Sequence, residues 1–265
     1  MPFNDDNRYS IDDTHDVQES VVRSLPRGLV MRRGNAADER GTFDVMRRAM
    51  GFDMNWDNHI GMRNHLRESP HCSFWLAEET PRFARHRAVG YVRSIVRDSV
   101  WSLTEFFVHP DFQGRGVGAS LLEQALAEGV RAGADTRLVL ASLNGGADSL
   151  YIRILGCLPR VPMLLVAGSP ITLHLPLGQE DTVIDVGQTL GIQTPNNLYA
   201  EPLILCPTLE AILNEMDREA IGFARPTEHR YWQTQIEKGT CIGRLYRRGS
   251  DTGEIVGYAY AGTQQ

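Results

Sequence analysis

A run of closely spaced glycines near the middle of the chain has the pattern of an anion-binding loop. The sequence from Gln113 to Gly118 reads Q-G-R-G-V-G, and it joins a strand pattern to an amphipathic helix pattern. Backbone N–H groups in such a loop, together with the positive end of the following helix, attract phosphate groups. Glycine lets a diphosphate approach the backbone closely because it lacks a Cβ atom. The spacing therefore predicts a phosphate-binding loop, with a tight turn that binds no ligand as the simpler alternative.

Two other kinds of phosphate-binding loop fit the same residues less well. A nucleoside-triphosphate loop requires a lysine after its glycines to reach the phosphates, and this loop contains no lysine. The dinucleotide-binding fingerprint is met in form by Gly114, Gly116 and Ala119. That fingerprint places glycine directly after one strand and an acidic residue at the end of the next. Here residues 109–113 intervene and the next strand pattern ends in Ser142, so we rank this alternative low.

Composition limits the classes of protein to which the chain can belong. Its 265 residues are 42% hydrophobic, which is enough for a substantial core. The formal net charge of -6 provides no basic surface, so we expect no nucleic-acid partner. The four cysteines are far apart, and we expect neither a disulfide framework nor a metal site. Neither a targeting segment nor an apolar run of membrane-spanning length is visible, so we expect a cytoplasmic protein with no membrane partner.

Hydrophobic periodicity predicts an alternation of strands and helices around the glycine loop. A strand at 29–33 precedes a helix that stops at Gly51, and a second helix is expected at 56–67. The polar loop between two apolar stretches predicts a hairpin of strands at 73–78 and 88–96, with a partner strand at 102–108. After the loop we expect a helix at 118–131, a buried strand at 137–142, a short helix at 147–155 and a strand at 163–167.

The chain divides into four predicted segments. These are a flexible acidic tail at 1–27, a first domain at 28–170, a linker at 171–195 and a second unit at 196–265. The second unit repeats landmarks of the first in the same order: A-M-G-F at 49–52 returns as A-I-G-F at 220–223, and V-G-Y at 89–91 returns at 256–258. Such similarity predicts two related units in tandem. Because the second unit stops after its hairpin, its free edge has to be covered by the first domain, by another protomer in a homodimer, or by residues outside this chain.

Two sequence motifs together resemble one enzyme family. The run F-F-V-H-P-D-F-Q-G-R-G-V-G-A-S-L-L resembles the coenzyme A motif of the GCN5-related N-acetyltransferase (GNAT) superfamily, whose pattern Q-x-x-G-x-G/A is met by Gln113, Gly116 and Gly118. The run A-D-S-L-Y-I-R-I-L-G-C is similar to the helix of that family that presents a tyrosine. The resemblance covers about residues 29–167. It implies an α/β GNAT acyl-CoA N-acyltransferase fold, with a mixed, mostly antiparallel sheet flanked by helices, followed by a partial second GNAT-like unit.

The resemblance also implies an activity and a set of cofactor contacts. The implied reaction transfers an acetyl group from acetyl-CoA, a co-substrate, to a primary amine of a small molecule or peptide, by direct attack and without metal. In this family the backbone of the strand before the loop pairs with the pantetheine arm, like an added strand. The loop amides hold the pyrophosphate, and Asn144 matches a position that often contacts the cofactor. The implied contacts are Phe106, Phe107, Val108, Gln113, Gly114, Arg115, Gly116, Val117, Gly118, Ala119 and Asn144.

Two residues are candidates for proton transfer. Tyr151 matches the usual general acid of the family, which would protonate the departing sulfur. Glu105 is our candidate base for the amine, and its alternative is a carboxylate on the solvated face of an edge strand. Because side chains alternate along a strand, only one of Glu105 and Phe106 can point to a given face. A thiol nucleophile at Cys157 and a coenzyme A-binding module without turnover, serving regulation or assembly, stay open as alternatives.

Overall fold

The computed structural model describes residues 24–51, 56, 72–80, 87–141, 144–159 and 198–262. Its larger sheet has five strands in sequential order, and all neighbouring pairs are antiparallel except the last, which is parallel. This mostly antiparallel sheet confirms the fold class expected from the sequence. The strands are β1 (Leu29–Arg33), β2 (Cys72–Glu79), β3 (Arg87–Arg97), β4 (Val100–Val108) and β5 (Thr136–Val139).

Helices cover both faces of the larger sheet. Helix α1 (Glu39–Met50) buries Phe43 and Met46 in a cluster with the sheet, and it ends at Gly51 with a left-handed φ of 72°, as predicted. Helix α2 (Val117–Arg131) packs on the opposite face through a buried stripe of Val117, Leu121, Leu122 and Ala125. The short helix α3 (Gly145–Leu150) follows β5. We call the two faces of the sheet the α1 face and the α2 face.

A bulge in β4 changes which side chains reach each face. Arg93 pairs with Glu105 but its neighbour Ser94 pairs with Leu103, so Thr104 is an extra residue in β4. Leu103 packs in the core cluster of the α2 face. With regular alternation Glu105 would point to that face too, but the bulge turns it to the α1 face.

One strand prediction is wrong in its burial and its length. Strand β5 ends at Val139, and Leu138 and Leu140 are 38% and 72% exposed, although the apolar run at 137–142 predicted a buried strand. The reason is position, because among the described residues β5 is the last of the five strands and pairs with β4 alone. Several predictions lie outside the described residues: the tail at 1–23, most of the helix at 56–67, the strand at 163–167 and the linker at 171–195.

A second, three-stranded sheet forms the C-terminal part of the described chain. Its strands are again in sequential order and antiparallel. The order of elements is a strand, two helices and a hairpin. The sequence predicts the helix that ends at Gly222 and the hairpin, whereas the first strand and the second helix were missed. The elements are β6 (Leu198–Pro202), α4 (Pro207–Ile221), α5 (Pro226–Glu237), β7 (Cys241–Arg248) and β8 (Ile255–Gly262).

The hairpins of the two sheets share an irregularity at equivalent residues. In the first, Ala77 pairs with Gly90 and Glu78 pairs with Ala88, so Val89 is extra. In the second hairpin, Tyr246 pairs with Gly257 and Arg247 pairs with Ile255, so Val256 is the extra residue. Both extra residues begin a V-G-Y sequence. The shared bulge supports a tandem arrangement, which stays a prediction.

The two sheets contact each other at the turn between β3 and β4. Arg97 forms an ion pair with Glu228 of α5, and both side chains are nearly buried. Asp98 Oδ2 accepts hydrogen bonds from the Ala224 N–H at 2.9 Å and from Arg218 Nε at 3.0 Å. This contact lies at the start of β4, whereas the glycine loop follows its end. None of the described helices is long and apolar enough to cross a membrane.

Candidate active site

The glycine loop is exposed and open above its backbone. Gly114 and Gly116 have φ angles of 72° and 89°, and no heavy atom lies within 4 Å of a Cβ built at either residue. Residues 113–116 are all exposed. The side chain of Gln113 does not point away from the protein, because its Nε2 donates to the Val108 carbonyl oxygen at 2.9 Å. Gln113 therefore ties the loop to the end of β4.

The first turn of α2 can bind an anion through its backbone. N–H groups in the first turn of a helix have no acceptor within the helix, and they lie at its positive end. Val117 and Ala119 are 1% and 4% exposed, so their side chains face the core and not a ligand. A Cβ at Gly118 would lie 3.0 Å from Phe106 Cζ, which explains the absence of a side chain there. Arg115 is exposed, with its guanidinium 5.4 Å from the ring centroid of Phe112.

Strand β4 has an unshared edge directly before this loop. It pairs with β5 only from Val100 to Leu103, whereas its pairing with β3 continues to Val108. Among the described residues, the last part of β4 therefore has a strand on one side only. Backbone groups at such an edge can pair with an extended ligand, as in the addition of a strand. Phe106, Phe107 and Val108 occupy this edge, and the family resemblance implies that these residues contact the pantetheine arm.

Tyr151 lies beside this edge, on the α2 face. It opens a five-residue π-helical turn after α3, and its ring centroid is 6.2 Å from that of Phe106. Burial, and to a lesser extent the charge of Asp148, raises the pKa of Tyr151 to about 12. The phenol thus keeps its proton at neutral pH and can donate it, as a general acid must.

Glu105 lies on the opposite face and is buried. It is 8% exposed, so the alternative of a solvated edge carboxylate is wrong. Its Oε2 lies 3.5 Å from Nε of Arg93, which in turn donates a hydrogen bond to Glu39 of α1. Sequence reasoning missed both partners. A charged residue in the apolar run of β3 was the available signal, but it does not identify the partner.

Two remaining candidates have local roles in the structure. The side-chain oxygen of Asn144 accepts from the N–H groups of Gly146 and Ala147, each at 3.1 Å, and so caps α3. Cys157 follows the π-helical turn, and burial raises the pKa of its thiol. This lowers the fraction of thiolate, which is the nucleophilic form. Among the described residues, no group of three or more His, Cys, Asp or Glu side chains is arranged to hold a metal ion.

The structure thus brings several of the predicted residues to the end of β4, but on two faces of the sheet. Phe106, Gly118 and Tyr151 meet on the α2 face. Phe107 packs with Tyr91 on the α1 face, where Glu105 also lies. The unshared edge of β4 runs between them.

Comparison with solved structures finds acetyltransferases of low sequence identity. A GCN5-related N-acetyltransferase from Sphaerobacter thermophilus is 23% identical with a TM-score of 0.44, covering 52% of this chain and 44% of that one. The ribosomal-protein-S18-alanine N-acetyltransferase from Escherichia coli is 18% identical with a TM-score of 0.38, covering 46% and 74%. An aminoglycoside acetyltransferase from an uncultured soil metagenomic sample is 14% identical with a TM-score of 0.44, covering 55% and 100%. No curated protein matches the chain.

The family comparison covers the part of the chain that contains the site. Residues 43–157 match the model of the family described as Acetyltransferase (GNAT) family. The matched range includes the edge of β4, the glycine loop, α2 and Tyr151. The resemblance expected from the sequence is confirmed: residues 43–157 match the model of the GNAT acetyltransferase family, whose members are acyltransferases.

Proposed function

We propose that this chain transfers an acetyl group from acetyl-CoA to a primary amine by direct attack of the amine. The observation that carries the proposal is the unshared edge of β4 between the glycine loop and Tyr151. A thioester with an extended arm and a diphosphate needs a strand edge for the arm and an anion site for the diphosphate, in that order. The residues from Phe106 to Ala119 supply both.

Binding would use the backbone more than side chains. Phe106 and Val108 would offer their N–H and C=O groups to the arm of the co-substrate. The amides of the glycine loop and of the first turn of α2 would hold the diphosphate. Acetyl-CoA would supply the activated acetyl group. Gln113 would keep the loop at the end of β4.

Proton transfer would use one residue from each face of the sheet. Glu105, buried on the α1 face, would accept the proton of the amine, directly or through water. Tyr151, on the α2 face, would donate its phenolic proton to the leaving sulfur. Both groups flank the same stretch of β4, because Glu105 and Phe106 are neighbours on a strand and point to opposite faces, and the bulge at Thr104 gives the α1 face to Glu105.

Substitution of Tyr151 tests this assignment. We expect Tyr151→Phe to lower the turnover number by roughly a hundredfold, the usual contribution of a general acid, while acetyl-CoA still raises the melting temperature. Tyr199→Phe, on strand β6 of the second sheet, is the matched control and should change neither value. Turnover is measured as thiol release with acetyl-CoA and a panel of primary amines.

Two results would contradict the proposal. Unchanged turnover in Tyr151→Phe would remove this residue from the mechanism. Thermal stabilisation of the unaltered protein by acetyl-CoA with no thiol release for any amine would instead favour a binding module for regulation or assembly.

A further inference from the structure

Arg93 is a charged residue in the middle of a buried strand. Its side chain is 4% exposed and its guanidinium lies 3.5 Å from the ring centroid of Phe74. Arginine stays protonated in proteins, so this site contains a permanent positive charge. A charge so far from water is tolerated only when it is paired and hydrogen-bonded. The partners of Arg93 are therefore essential to its position.

Two carboxylates share this guanidinium unequally. Glu39, from the first turn of α1, accepts a direct hydrogen bond from Arg93 Nη2. Glu105, opposite Arg93 on β4, has its Oε2 3.5 Å from Nε, an ion-pair distance without a hydrogen bond between these two atoms. All three side chains are nearly buried, at 4%, 6% and 7% exposure for Arg93, Glu39 and Glu105. Glu39 thus holds the closer contact and Glu105 the weaker one.

We propose that Arg93 is a positioning residue for Glu105, and that Glu39 competes with Glu105 for its guanidinium. A carboxylate that binds a guanidinium alone is held ionised and is a poor acceptor of protons. A second carboxylate on the same guanidinium weakens that effect. Arg93 therefore fixes Glu105 on the α1 face, and Glu39 takes part of the charge of the guanidinium. The relevance to catalysis rests on the proposed function, in which Glu105 accepts the proton of the amine.

Other charged or titratable groups near this triad have partners of their own. Among the described residues, Asp38 is bound to Arg32 by a hydrogen bond of 2.8 Å from Nη1. The Cys72 thiol of β2 lies near Arg93 and Glu105, and burial raises its pKa, so it stays neutral. Among the described residues, Arg93 is a positive charge within ion-pair distance of Glu105. The competition between Glu39 and Glu105 is thus the feature to alter.

The test measures the titration of Glu105 itself, by carbon NMR of labelled glutamate carboxyl groups, with the signal assigned by its loss in Glu105→Gln. We expect Glu39→Gln to lower the midpoint of Glu105 by about half a pH unit or more, because the guanidinium then has one carboxylate partner. Arg93→Gln should raise that midpoint, because it removes the positive charge, and Arg93→Met, which also removes the charge, is the second variant should the former not fold. Glu128→Gln, on the α2 face, is the matched control and should leave the midpoint unchanged.

The outcomes separate this inference from the proposed function. An unchanged or raised Glu105 midpoint in Glu39→Gln overturns the inference, as does an unchanged midpoint in the Arg93 variant that folds. In the plot of the acetyl-transfer rate against pH, the acid limb should shift together with the titration midpoint of Glu105. If the midpoint shifts but the limb does not, Glu105 is not the base and the proposed mechanism fails while the coupling stands. If no amine is acetylated, the proposed function is wrong. The NMR midpoints of Glu105 then still test whether Glu39 and Glu105 compete for Arg93.

Discussion

The hairpin of β2 and β3 and the hairpin of β7 and β8 carry the same bulge, yet they are covered to different extents. Every residue from Val89 to Val96 in β3 is buried. In the equivalent strand of the second hairpin, β8, no residue from 255 to 261 is buried. The first sheet continues past its hairpin into β4, the glycine loop and α2, and these elements cover β3.

Equivalent glycines show what this cover requires. A Cβ on Gly90 would lie 3.1 Å from Leu121 Cδ1 and 3.3 Å from Val117 Cγ1, both on α2. A Cβ on Gly257 would meet no heavy atom within 4 Å. Both sheets thus contain the same arrangement of a strand and a hairpin. The features that suit chemistry come from the elements that only the first sheet has among the described residues.

The largest effect should come from breaking the contact between the two sheets. Arg97→Met leaves Glu228 buried without its ion-pair partner, which typically costs about 3 kcal/mol or more. We expect the single unfolding transition to split or shift to much lower denaturant in calorimetry and urea titration. Adding Glu228→Gln to Arg97→Met should recover part of the loss. No recovery in the double variant would mean that the two sheets are not coupled through this pair.

A second pair of variants distinguishes binding from backbone strain. Gly116 and Gly222 both have a φ of 89° with open space at Cβ, and they lie at the start of α2 and the end of α4. Alanine at either should cost about 1 kcal/mol, because side chains disfavour this conformation. Only Gly116→Ala should also weaken acetyl-CoA binding, by roughly tenfold in calorimetry, since a Cβ would disturb the anion site. Equal affinities in the two variants would argue against the loop as the binding site.

Alanine at Gly90 and Gly257, the glycines that follow the two bulge residues, tests how closely each hairpin is covered by neighbouring atoms. Gly90→Ala should destabilise the protein by about 1 kcal/mol, since Leu121 and Val117 must move by a few tenths of an ångström. Gly257→Ala should be close to neutral, because its Cβ would meet no neighbour. Urea denaturation of both variants measures the difference. A larger loss in Gly257→Ala would show that the second hairpin is covered after all.

The smallest effect should be a difference in acid sensitivity. Burial lowers the pKa of both His109 and His229, one in each part of the chain. The unfolded chain then binds protons more readily below its ordinary histidine pKa of 6.5, so stability present above that pH is lost as pH falls. Nε2 of His109 lies 2.6 Å from Nη2 of Arg87, whereas Nε2 of His229 lies 3.0 Å from Oδ2 of Asp217.

A cation disfavours a protonated histidine and a carboxylate favours it. His109→Gln should therefore remove more of the stability loss between about pH 7.5 and 5.5 than His229→Gln does. The measurement is the urea midpoint at both pH values. An equal change in the two variants would mean that their neighbours do not distinguish them.

Local signals allowed much of the first domain to be predicted. Gly51 ends α1 as expected, since glycine adopts its left-handed φ without strain. The hairpin and the order of strand, glycine loop and helix were also predicted. The alternation of apolar and polar residues and the ending of elements at glycine can be recognised within short segments.

Features set by distant neighbours were not predictable. The exposure of Leu138 and Leu140 depends on β5 lying at an edge, which its apolar sequence does not specify. The helix α5 was missed because its buried residues include Glu228, His229 and Tyr231, which form no apolar stripe. The contacts of Arg93 join three elements, so they appear only in the folded chain.

The extra residue at Thr104 has a consequence for mutagenesis and for natural variation. Side chains of β4 can be exchanged one at a time, but its length cannot change freely. Deletion of Thr104 would restore regular pleating and exchange the faces of either the residues before it or those after it. In libraries of variants, a one-residue deletion at this point should therefore be far more harmful than any single substitution of the same threonine.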